Sequence, residues 1–564
     1  MFRLLTVLAI LLGMAAHAQQ QVLVVVGDTT LPRKWRGPFT VGKTELDVRK
    51  ADLRSEMIAA GYLAASCDSC VHGNDTTRCY FHLGTQYRWA RLAAGTIPQE
   101  IASASGFRER LYRDRPITPR QMAGLFEDLL DQCENNGFPF AMVQLDSIRQ
   151  QGEGLSAVID LTPGRAIVFD SVIVRGTVRV NPRYLQAHIG IRPGDPYNES
   201  LVQALNQRIK ELPFITSKRS PYILFSPEET KLYLFLDAKN ASSFNGILGV
   251  APDPSTGKVN LTGDVDLKLR NALHHGEAIA LNWRSLQDKT QNLTLGFNYP
   301  YAFNTPFGVD LGLKLFKQDS TFLQVNSRAA LEYLLSRGDK VSIFVNNASS
   351  QRLGQQLVYM PGLADVKLTS YGLGLQRQHF DYLYNPRKGL GLNLEGSAGE
   401  KHSSTATYGD TVSTPQTSVQ YVFDGNVTWH IPLGRRSTVR LVAQGGSMVN
   451  DQLYTNELYR IGGLKTLRGV DEASIYCSSY AIGTVEYRFL YEENGNFFLF
   501  MDQGWWEDSS QSPMKTDTPI GFGVGTSFET KAGIFGLTYA LGRQFNNPID
   551  LRGGKVYFGF TSLF

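Results

Sequence analysis

The sequence lacks the features that mark several common classes of protein. Beyond its first residues it has no run of about 18 apolar side chains, so a helical membrane span is excluded for the mature chain. Its 56 basic and 52 acidic residues nearly balance, which gives no reason to expect a nucleic-acid partner. It also has no G-x-S-x-G, H-E-x-x-H or phosphate-loop motif. We therefore expect neither an enzyme nor a cofactor.

The N-terminus has the residue order of a cleaved secretory signal. Arg3 precedes an apolar run from Leu4 to Ala16, and Ala16-His17-Ala18 supplies small residues before Gln19. The sequence therefore predicts a signal peptide over residues 1–18 and an exported mature chain.

From Phe244 onward, apolar and polar residues alternate along one run after another. Leu293, Leu295 and Phe297 alternate with polar or small residues, and the runs 265–269, 309–315 and 439–443 repeat the pattern. Such strands present one face to lipid and one to water, which a mean hydropathy of −0.19 does not reveal. At about 20 residues per strand with its loop, residues 244–564 predict a transmembrane β-barrel of about 16 antiparallel strands.

The part before the barrel contains a repeat of roughly 75 to 80 residues. In each copy an amphipathic helix is followed by two strand-like runs. The best-specified helix is capped by Thr118, starts at Pro119 and has one apolar face, made of Met122, Leu125, Leu129 and Cys133. The pattern predicts two or three small α+β domains of β-α-α-β-β order at 86–165 and 166–240, with a partial or divergent one at 21–85.

A loop between two barrel-like strands, at Thr438–Gln444 and Tyr480–Tyr491, carries the stretch Ile461–Val470, IGGLKTLRGV. Downstream come Glu486 and Asp502, and the chain ends on an aromatic strand at Phe564. This succession resembles the end of the BamA/TamA family of POTRA-barrel outer-membrane proteins, of the bacterial surface antigen type, and its size is nearest to the TamA members.

The resemblance implies a role for the loop. In that family a long loop folds into the barrel and places the Arg of a [VIL]-R-G-[FY] motif against acidic residues of the wall. Here the motif positions are Arg468 and Gly469, and the wall candidates are Glu486 and Asp502. Val470 departs from the motif, since the family usually has an aromatic residue there.

Two further expectations follow from the resemblance. Gly194-Asp195-Pro196-Tyr197 resembles a POTRA motif, which implies periplasmic domains that pass polypeptides by adding a strand to a sheet edge. The last strand, with Phe558, Phe560 and Phe564, resembles the signal read by the outer-membrane assembly machinery. It is equally compatible with an ordinary lipid-facing strand.

Glycines are frequent near the two strands that would close the barrel. They are Gly246, Gly249, Gly554 and Gly559. Because glycine weakens a strand, these positions favour a seam that opens, although tight turns would explain them as well.

The cysteines are Cys67, Cys70, Cys79, Cys133 and Cys477, an odd number that leaves at least one thiol unpaired within the chain. A hairpin of strands 63–71 and 77–83 that pairs Val71 with Arg78 places Cys70 opposite Cys79, at a spacing suited to a disulfide. That register sets the free Cys67 opposite His82. Although Cys67, Cys70, His72, Cys79 and His82 have spacings that suggest zinc, the export signal favours oxidation, and we predict no metal.

The sequence thus predicts a bacterial outer-membrane insertase or translocase with N-terminal domains in the periplasm. Its partners would be unfolded outer-membrane or secreted client proteins, outer-membrane lipid, and a periplasmic or inner-membrane protein contacting the N-terminal modules. An alternative is a two-partner-secretion porter for one client, with residues 46–61 as a plugging helix. A passive porin or barrel enzyme is a third possibility, against which the repeats before the barrel argue.

Overall fold

The computed structural model describes the chain outside a few short gaps. It covers residues 20–27, 31–42, 45–252, 259–287, 290–335, 338–353, 362–382, 385–406, 413–530, 533–545 and 547–564. The predicted signal peptide, residues 1–18, lies outside the described residues. The chain forms two compact units, and the second contains the barrel.

The first module is a four-stranded sheet with one helix. Its elements are β1 (Gln20–Gly27), β2 (Phe39–Gly42), α1 (Leu46–Ala59), β3 (Ser66–His72) and β4 (Thr76–His82), and the sheet order is β2-β1-β4-β3. Leu53 and Met57 of α1 are fully buried in a core with Leu23 and Phe81. Helix α1 is therefore a packed part of this module, so residues 46–61 do not form a separate plugging helix.

The second module has the predicted β-α-α-β-β order. Its elements are β5 (Arg88–Ala93), α2 (Gln99–Ala104), α3 (Pro119–Glu134), β6 (Met142–Gln151) and β7 (Gly154–Thr162), and the sheet order is β5-β7-β6. The Thr118 hydroxyl accepts a hydrogen bond from the Gln121 amide, and Gly137 follows the helix with φ +95°. The buried face of α3 has the predicted residues, Met122, Leu125, Leu129 and Cys133.

The third module repeats this order next to the barrel. Its elements are β8 (Ser171–Arg175), α4 (Pro182–Ile189), α5 (Glu199–Lys210), β9 (Ile215–Phe225) and β10 (Thr230–Ala238), and the sheet order is β8-β10-β9. Helix α4 contacts two barrel turns, since the Asn181 amide donates to the His274 carbonyl at 2.7 Å and the Tyr301 hydroxyl lies 3.3 Å from His188 Nδ1. Burial lowers the pKa of His188 to about 4, which keeps this contact uncharged at neutral pH.

The barrel is a closed antiparallel sheet. Its strands are β11 (Ser243–Pro252), β12 (Val259–Arg270), β13 (Ala278–Gln287), β14 (Thr290–Tyr299), β15 (Phe307–Gln318), β16 (Phe322–Leu334), β17 (Lys340–Arg352), β18 (Asp365–Phe380), β19 (Gly389–Ala406), β20 (Ser413–Pro432), β21 (Ser437–Val449), β24 (Ser479–Leu490), β25 (Asn496–Asp508), β26 (Lys515–Asp517), β27 (Ile520–Thr530), β28 (Gly533–Arg543) and β29 (Lys555–Leu563). Strand β26 has three residues and pairs with the end of β25, which also pairs with β27. In the part of the chain that is described, 16 strands thus form the wall, which confirms the predicted fold class.

The alternation along the strands separates an apolar exterior from a polar interior. On β25, Phe497, Leu499 and Met501 are 57%, 58% and 47% exposed on the outer face, whereas Phe500 and Asp502, which alternate with them, are buried. Among the described residues, no helix has the length and apolar character that crossing a membrane requires.

The seam between the first and last strands is short. In the described residues β11 and β29 pair at Ser243–Leu563 and Phe244–Ser562, and two backbone hydrogen bonds between Ser242 and Phe564 adjoin them. The neighbouring ladder of β28 and β29 runs from Ile534–Thr561 to Ala540–Lys555. The seam is therefore held by far fewer hydrogen bonds than its neighbour.

The predicted seam glycines lie outside this paired stretch. Gly246 and Gly249 pair with Val265 and Thr262 of β12, and Gly559 pairs with Gly536 of β28. Gly554 lies just before the last strand and not in it, because β29 starts at Lys555 and Gly554 follows a turn at Leu551–Gly553. A Cβ at Gly554 would lie 2.3 Å from the Tyr539 hydroxyl, so close packing explains this glycine.

In the first module, Cys70 pairs with Cys79 and Val71 with Arg78, and the two sulfur atoms form a disulfide. Cys67 does not face His82 as expected. A β-bulge between Cys67 and Ser69 shifts the register, so that Cys67 faces Phe81 and Ser66 faces His82. Cys67, Cys133 and Cys477 are free thiols, the last two buried.

We predict that replacing Cys70 and Cys79 by serine destabilises the first module by about 2.7 kcal/mol, the loop-closure value for ten residues. Chemical denaturation of the mature protein, followed by tryptophan emission, measures the change. Cys67→Ser is the matched control and should leave the transition in place. Non-reducing peptide mapping should recover a Cys70–Cys79 peptide pair, and recovery of a pair that contains Cys67 would contradict the register.

Candidate functional site

The long loop between β21 and β24 folds into the barrel. It includes two short strands, β22 (Tyr459–Ile461) and β23 (Ile475–Cys477), which pair with each other. Leu467, Val470 and Ile475 of the loop pack in one buried cluster with Ile482 and Trp506 of the wall. Removal of these side chains from water stabilises the inward conformation of the loop.

Arg468 extends from this cluster to two carboxylates of the wall. Its Nε and Nη2 atoms donate to Asp502 Oδ2 and Oδ1 at 2.8 and 2.7 Å, and Nη1 donates to Glu486 Oε2 at 2.6 Å. The Arg468 amide also donates to Asp502 Oδ2 at 3.1 Å. The guanidinium is thus bound in the planar, bidentate way that lysine cannot reproduce.

The three groups of this site are almost fully removed from solvent. Arg468 is 8% exposed, Glu486 1% and Asp502 0%. Arg488 Nε donates to Glu486 Oε1 at 2.6 Å, and Arg440 Nη1 lies 3.6 Å from Glu486 Oε2. An unpaired charge at this depth would be strongly destabilising, so each ion depends on the others.

Residues that the motif did not indicate complete the site. The Arg468 guanidinium carbon lies 3.5 Å from the centre of the Phe500 ring, and the Thr484 hydroxyl donates to Asp502 Oδ1 at 2.8 Å. Phe500 thus supplies an aromatic contact from the wall, while Val470 is buried in the apolar cluster. Strand parity could have revealed both, because Phe500 and Thr484 alternate with outward-facing residues on the strands of Asp502 and Glu486.

Glycines allow the loop backbone to touch the wall backbone. Gly469 has φ +87°, and a Cβ there would lie 2.4 Å from the Leu541 carbonyl oxygen. A Cβ at Gly521 of β27 would lie 1.8 Å from the Arg468 carbonyl oxygen. Any larger residue at either position would therefore push Arg468 away from its carboxylates.

The start of the loop is fixed to a different part of the wall. The Lys401 ammonium, on β19, donates to Glu457 and to the Gln452 carbonyl. The Asn456 side chain exchanges hydrogen bonds with both the amide and the carbonyl of Ala364. These contacts are buried, so the loop is anchored at its stem as well as at Arg468.

The other predicted residues occupy the last strand and the first module. Phe558 and Phe564 are 59% and 52% exposed, and the Phe560 ring lies 4.7 Å from the Phe535 ring. The Cys67 sulfur lies 3.7 Å from that of Cys70. Because Cys70 and Cys79 form the disulfide, one thiol is left there, which does not suit zinc.

A closed barrel with an apolar exterior, preceded by α+β modules and holding an inward loop, defines an outer-membrane β-barrel with POTRA-type domains. Comparison with known families agrees, since the Omp85 superfamily domain matches residues 271–564 and the POTRA family, described as the surface antigen variable number repeat, matches 167–229. The chain belongs to the Omp85 superfamily.

Two solved structures of CdiB show the same fold at low sequence identity. CdiB from Acinetobacter baumannii is 15% identical, with a TM-score of 0.54 over 85% of this chain and 90% of that one. CdiB from Escherichia coli is 14% identical, with a TM-score of 0.53 over 95% of this chain and 100% of that one. BamA of Haemophilus ducreyi lacking POTRA domains 1–3 is 12% identical, with a TM-score of 0.45 over 84% and 100%. No curated protein matches the sequence.

We predict that Arg468→Ala gives a folded but labile barrel, because it leaves buried carboxylates without their bidentate partner. The free energy of unfolding should fall by about 3–5 kcal/mol. In gel electrophoresis of samples heated to increasing temperatures, the fast-migrating band of the folded barrel should disappear at a lower temperature. Arg468→Lys should recover only part of this, since an ammonium cannot bind both acids in the same plane. Arg435→Ala, which removes an exposed arginine from a turn, is the control. Equal melting of Arg468→Ala and this control would contradict a stabilising role for the pairing of Arg468 with Glu486 and Asp502.

Proposed function

We propose that the protein inserts or exports client polypeptides at the outer membrane, by capturing extended segments on its modules and exchanging strand hydrogen bonds at the barrel seam. The observation that carries this proposal is the short seam between β11 and β29 in an otherwise continuous wall. Such exchange needs neither a cofactor nor a catalytic group. The modules, at 21–85, 86–165 and 166–240, would lie in the periplasm.

The energetics of the seam support lateral opening. A backbone hydrogen bond contributes about 0.5–1.5 kcal/mol net in water and more in hydrocarbon, where no water replaces it. The junction of β11 with β29 has two paired residues on each strand, so in the described wall it is the junction with the fewest ladder pairs. A client strand that pairs with either edge restores the lost hydrogen bonds, so opening is least costly when a client is present.

The modules offer edges for capture. Strand β6 is an edge strand of the second module, and Met142 at its start and Phe140 just before it are 67% and 52% exposed. Strand β9 is an edge strand of the third, and its exposed Tyr222 stacks on Tyr233 at 4.9 Å. Unpaired backbone groups beside exposed apolar side chains suit an extended, unfolded chain.

The loop lock of Arg468, Gly469, Glu486 and Asp502 would keep the wall rigid while the seam opens. Strands β24 and β25, which carry the two acids, lie on the same side of the barrel as β29, separated from it by β27 and β28. The lock would therefore brace the wall beside the seam and not the wall opposite it. We also propose that Phe558, Phe560 and Phe564 act as the assembly signal of the barrel itself.

A two-partner-secretion porter is the second candidate, since the same scaffold could thread one client through the lumen. The position of α1 in the core of the first module argues against a plugging helix at 46–61. The inward loop, anchored on several strands, would also have to leave the lumen for threading. A passive porin or a barrel enzyme would have no use for the edge strands of the modules.

We predict that a photo-crosslinking amino acid at Met142 or Tyr222 captures client chains in living cells. The same label at Arg120, on the exposed side of α3, is the control and should capture few. Deleting 86–240 should leave a barrel that inserts but does not assemble clients, measured by the amounts of other outer-membrane and secreted proteins. Equal capture at all three positions, or undiminished client assembly after the deletion, would show that the modules do not capture.

A further inference from the structure

The tip of the inward loop, residues 469–472, reaches the last strand of the barrel. Lys555 Nζ, at the start of β29, lies 2.6 Å from Asp471 Oδ1. The Tyr557 hydroxyl, two residues along the same strand, accepts from the Gly469 amide at 3.3 Å and donates to the Val470 carbonyl at 3.4 Å. The segment that follows Arg468 is thus attached to one side of the seam.

The next residue of the tip is attached to the other side. Glu472 Oε1 accepts from Arg284 Nη1 of β13 at 3.0 Å. Arg284 Nε in turn donates to Asp264 Oδ2 of β12 at 2.9 Å, and β12 pairs with β11 along the length of that strand. Two adjacent acids on one loop therefore connect the first strands of the barrel with the last.

The contacts of the tip differ in strength from those of Arg468. The side chains of Asp471 and Lys555 are 72% and 37% exposed, and those of Glu472 and Arg284 are 45% and 28% exposed. Solvated ion pairs are weak and are screened by salt, whereas Arg468 and its carboxylates are buried. The loop thus combines a permanent anchor with a releasable end.

We propose that Asp471 and Glu472 form a latch that holds the seam closed from inside the lumen until a client replaces the β11–β29 pairing. This inference rests on the proposed function, because it explains how a short seam stays shut without a client. The seam itself is held by two ladder pairs and the two Ser242–Phe564 hydrogen bonds. The latch joins its two sides through the tip, with one ion pair and two hydrogen bonds to β29 and one ion pair to β13. Because each contact is weak, the latch does not prevent opening.

The test measures seam opening in the absence of any client. The full-length protein is reconstituted in lipid vesicles, and amide hydrogen exchange is followed by mass spectrometry in β11 and β29. The double variant Asp471→Asn with Glu472→Gln should raise exchange in β29 by about two- to thirty-fold, the range that the loss of two exposed ion pairs allows. Wild-type protein in 1 M salt should approach the same rate, because the screening length then falls to about 3 Å.

A matched control is Glu492→Gln with Glu493→Gln, which removes two adjacent acids from an exposed turn and should leave β29 unchanged. Lys555→Glu should open the seam, and adding Asp471→Lys to it should close the seam again by restoring an ion pair with reversed charges. The latch would be overturned if β29 exchanged at the same rate in the Asp471/Glu472 double variant as in the control. It would also be overturned if adding Asp471→Lys to Lys555→Glu did not slow exchange in β29 again. An equal rise in residues 463–468 would overturn it too, since the acids would then stabilise the loop and not the seam.

The same measurement separates the latch from the proposed function. Exchange in β29 that is faster in the Asp471→Asn, Glu472→Gln variant, and unchanged in the Glu492→Gln, Glu493→Gln control, supports the latch whether or not any client is assembled. A protein that shows this behaviour but captures no client at Met142 or Tyr222 would retain the latch and refute the proposed function.

Discussion

The structure depends on the requirement that every backbone polar group facing hydrocarbon be paired. An antiparallel sheet in a membrane meets this requirement only by closing on itself. Closure joins the first strand to the last, and here the joining ladder is formed by Ser243 and Phe244 with Leu563 and Ser562. The wall is complete, but its final junction is much weaker than the others. A barrel built in this way needs a second set of contacts to control the junction.

The inward loop supplies that second set by crossing the lumen. Its stem is attached to β19 through Lys401 and Glu457, its middle to β24 and β25 through Arg468, and its tip to strands on both sides of the seam. The buried anchor is stable because two carboxylates and an aromatic ring compensate for the lost hydration of the Arg468 guanidinium, while Arg488 pairs with the buried Glu486. The charged side chains of the exposed tip keep most of their hydration, so they need no such compensation. Rigidity and release are thus assigned to different residues of one loop.

Glycine has a specific place in this arrangement. The loop contacts the wall backbone to backbone at Gly469 and Gly521, where no side chain fits. The predicted seam glycines Gly246, Gly249 and Gly559 pair with neighbouring strands, and Gly554 packs against a tyrosine. None of them is among the residues that pair β11 with β29. The short length of that ladder limits its hydrogen bonds whichever residues form it.

Local patterns in the sequence were sufficient to predict the barrel, the helices of the modules and the partners of Arg468. Two-residue alternation predicted the barrel and its approximate strand number, because each strand residue faces either lipid or lumen whatever its neighbours are. The cap at Thr118 and the apolar face of α3 predicted a helix in the same local way, and the resemblance around Arg468 indicated its acidic partners.

Tertiary structure decided what depends on contacts between distant segments. Arg284 and Glu472 are 188 residues apart, and no local pattern pairs them. The bulge that moves Cys67 from His82 to Phe81 reflects how one strand fits its neighbours, and the length of the seam follows from how the last strand meets the first. Periodicity reports the direction in which a side chain points. Only the closed and folded chain determines what that side chain meets.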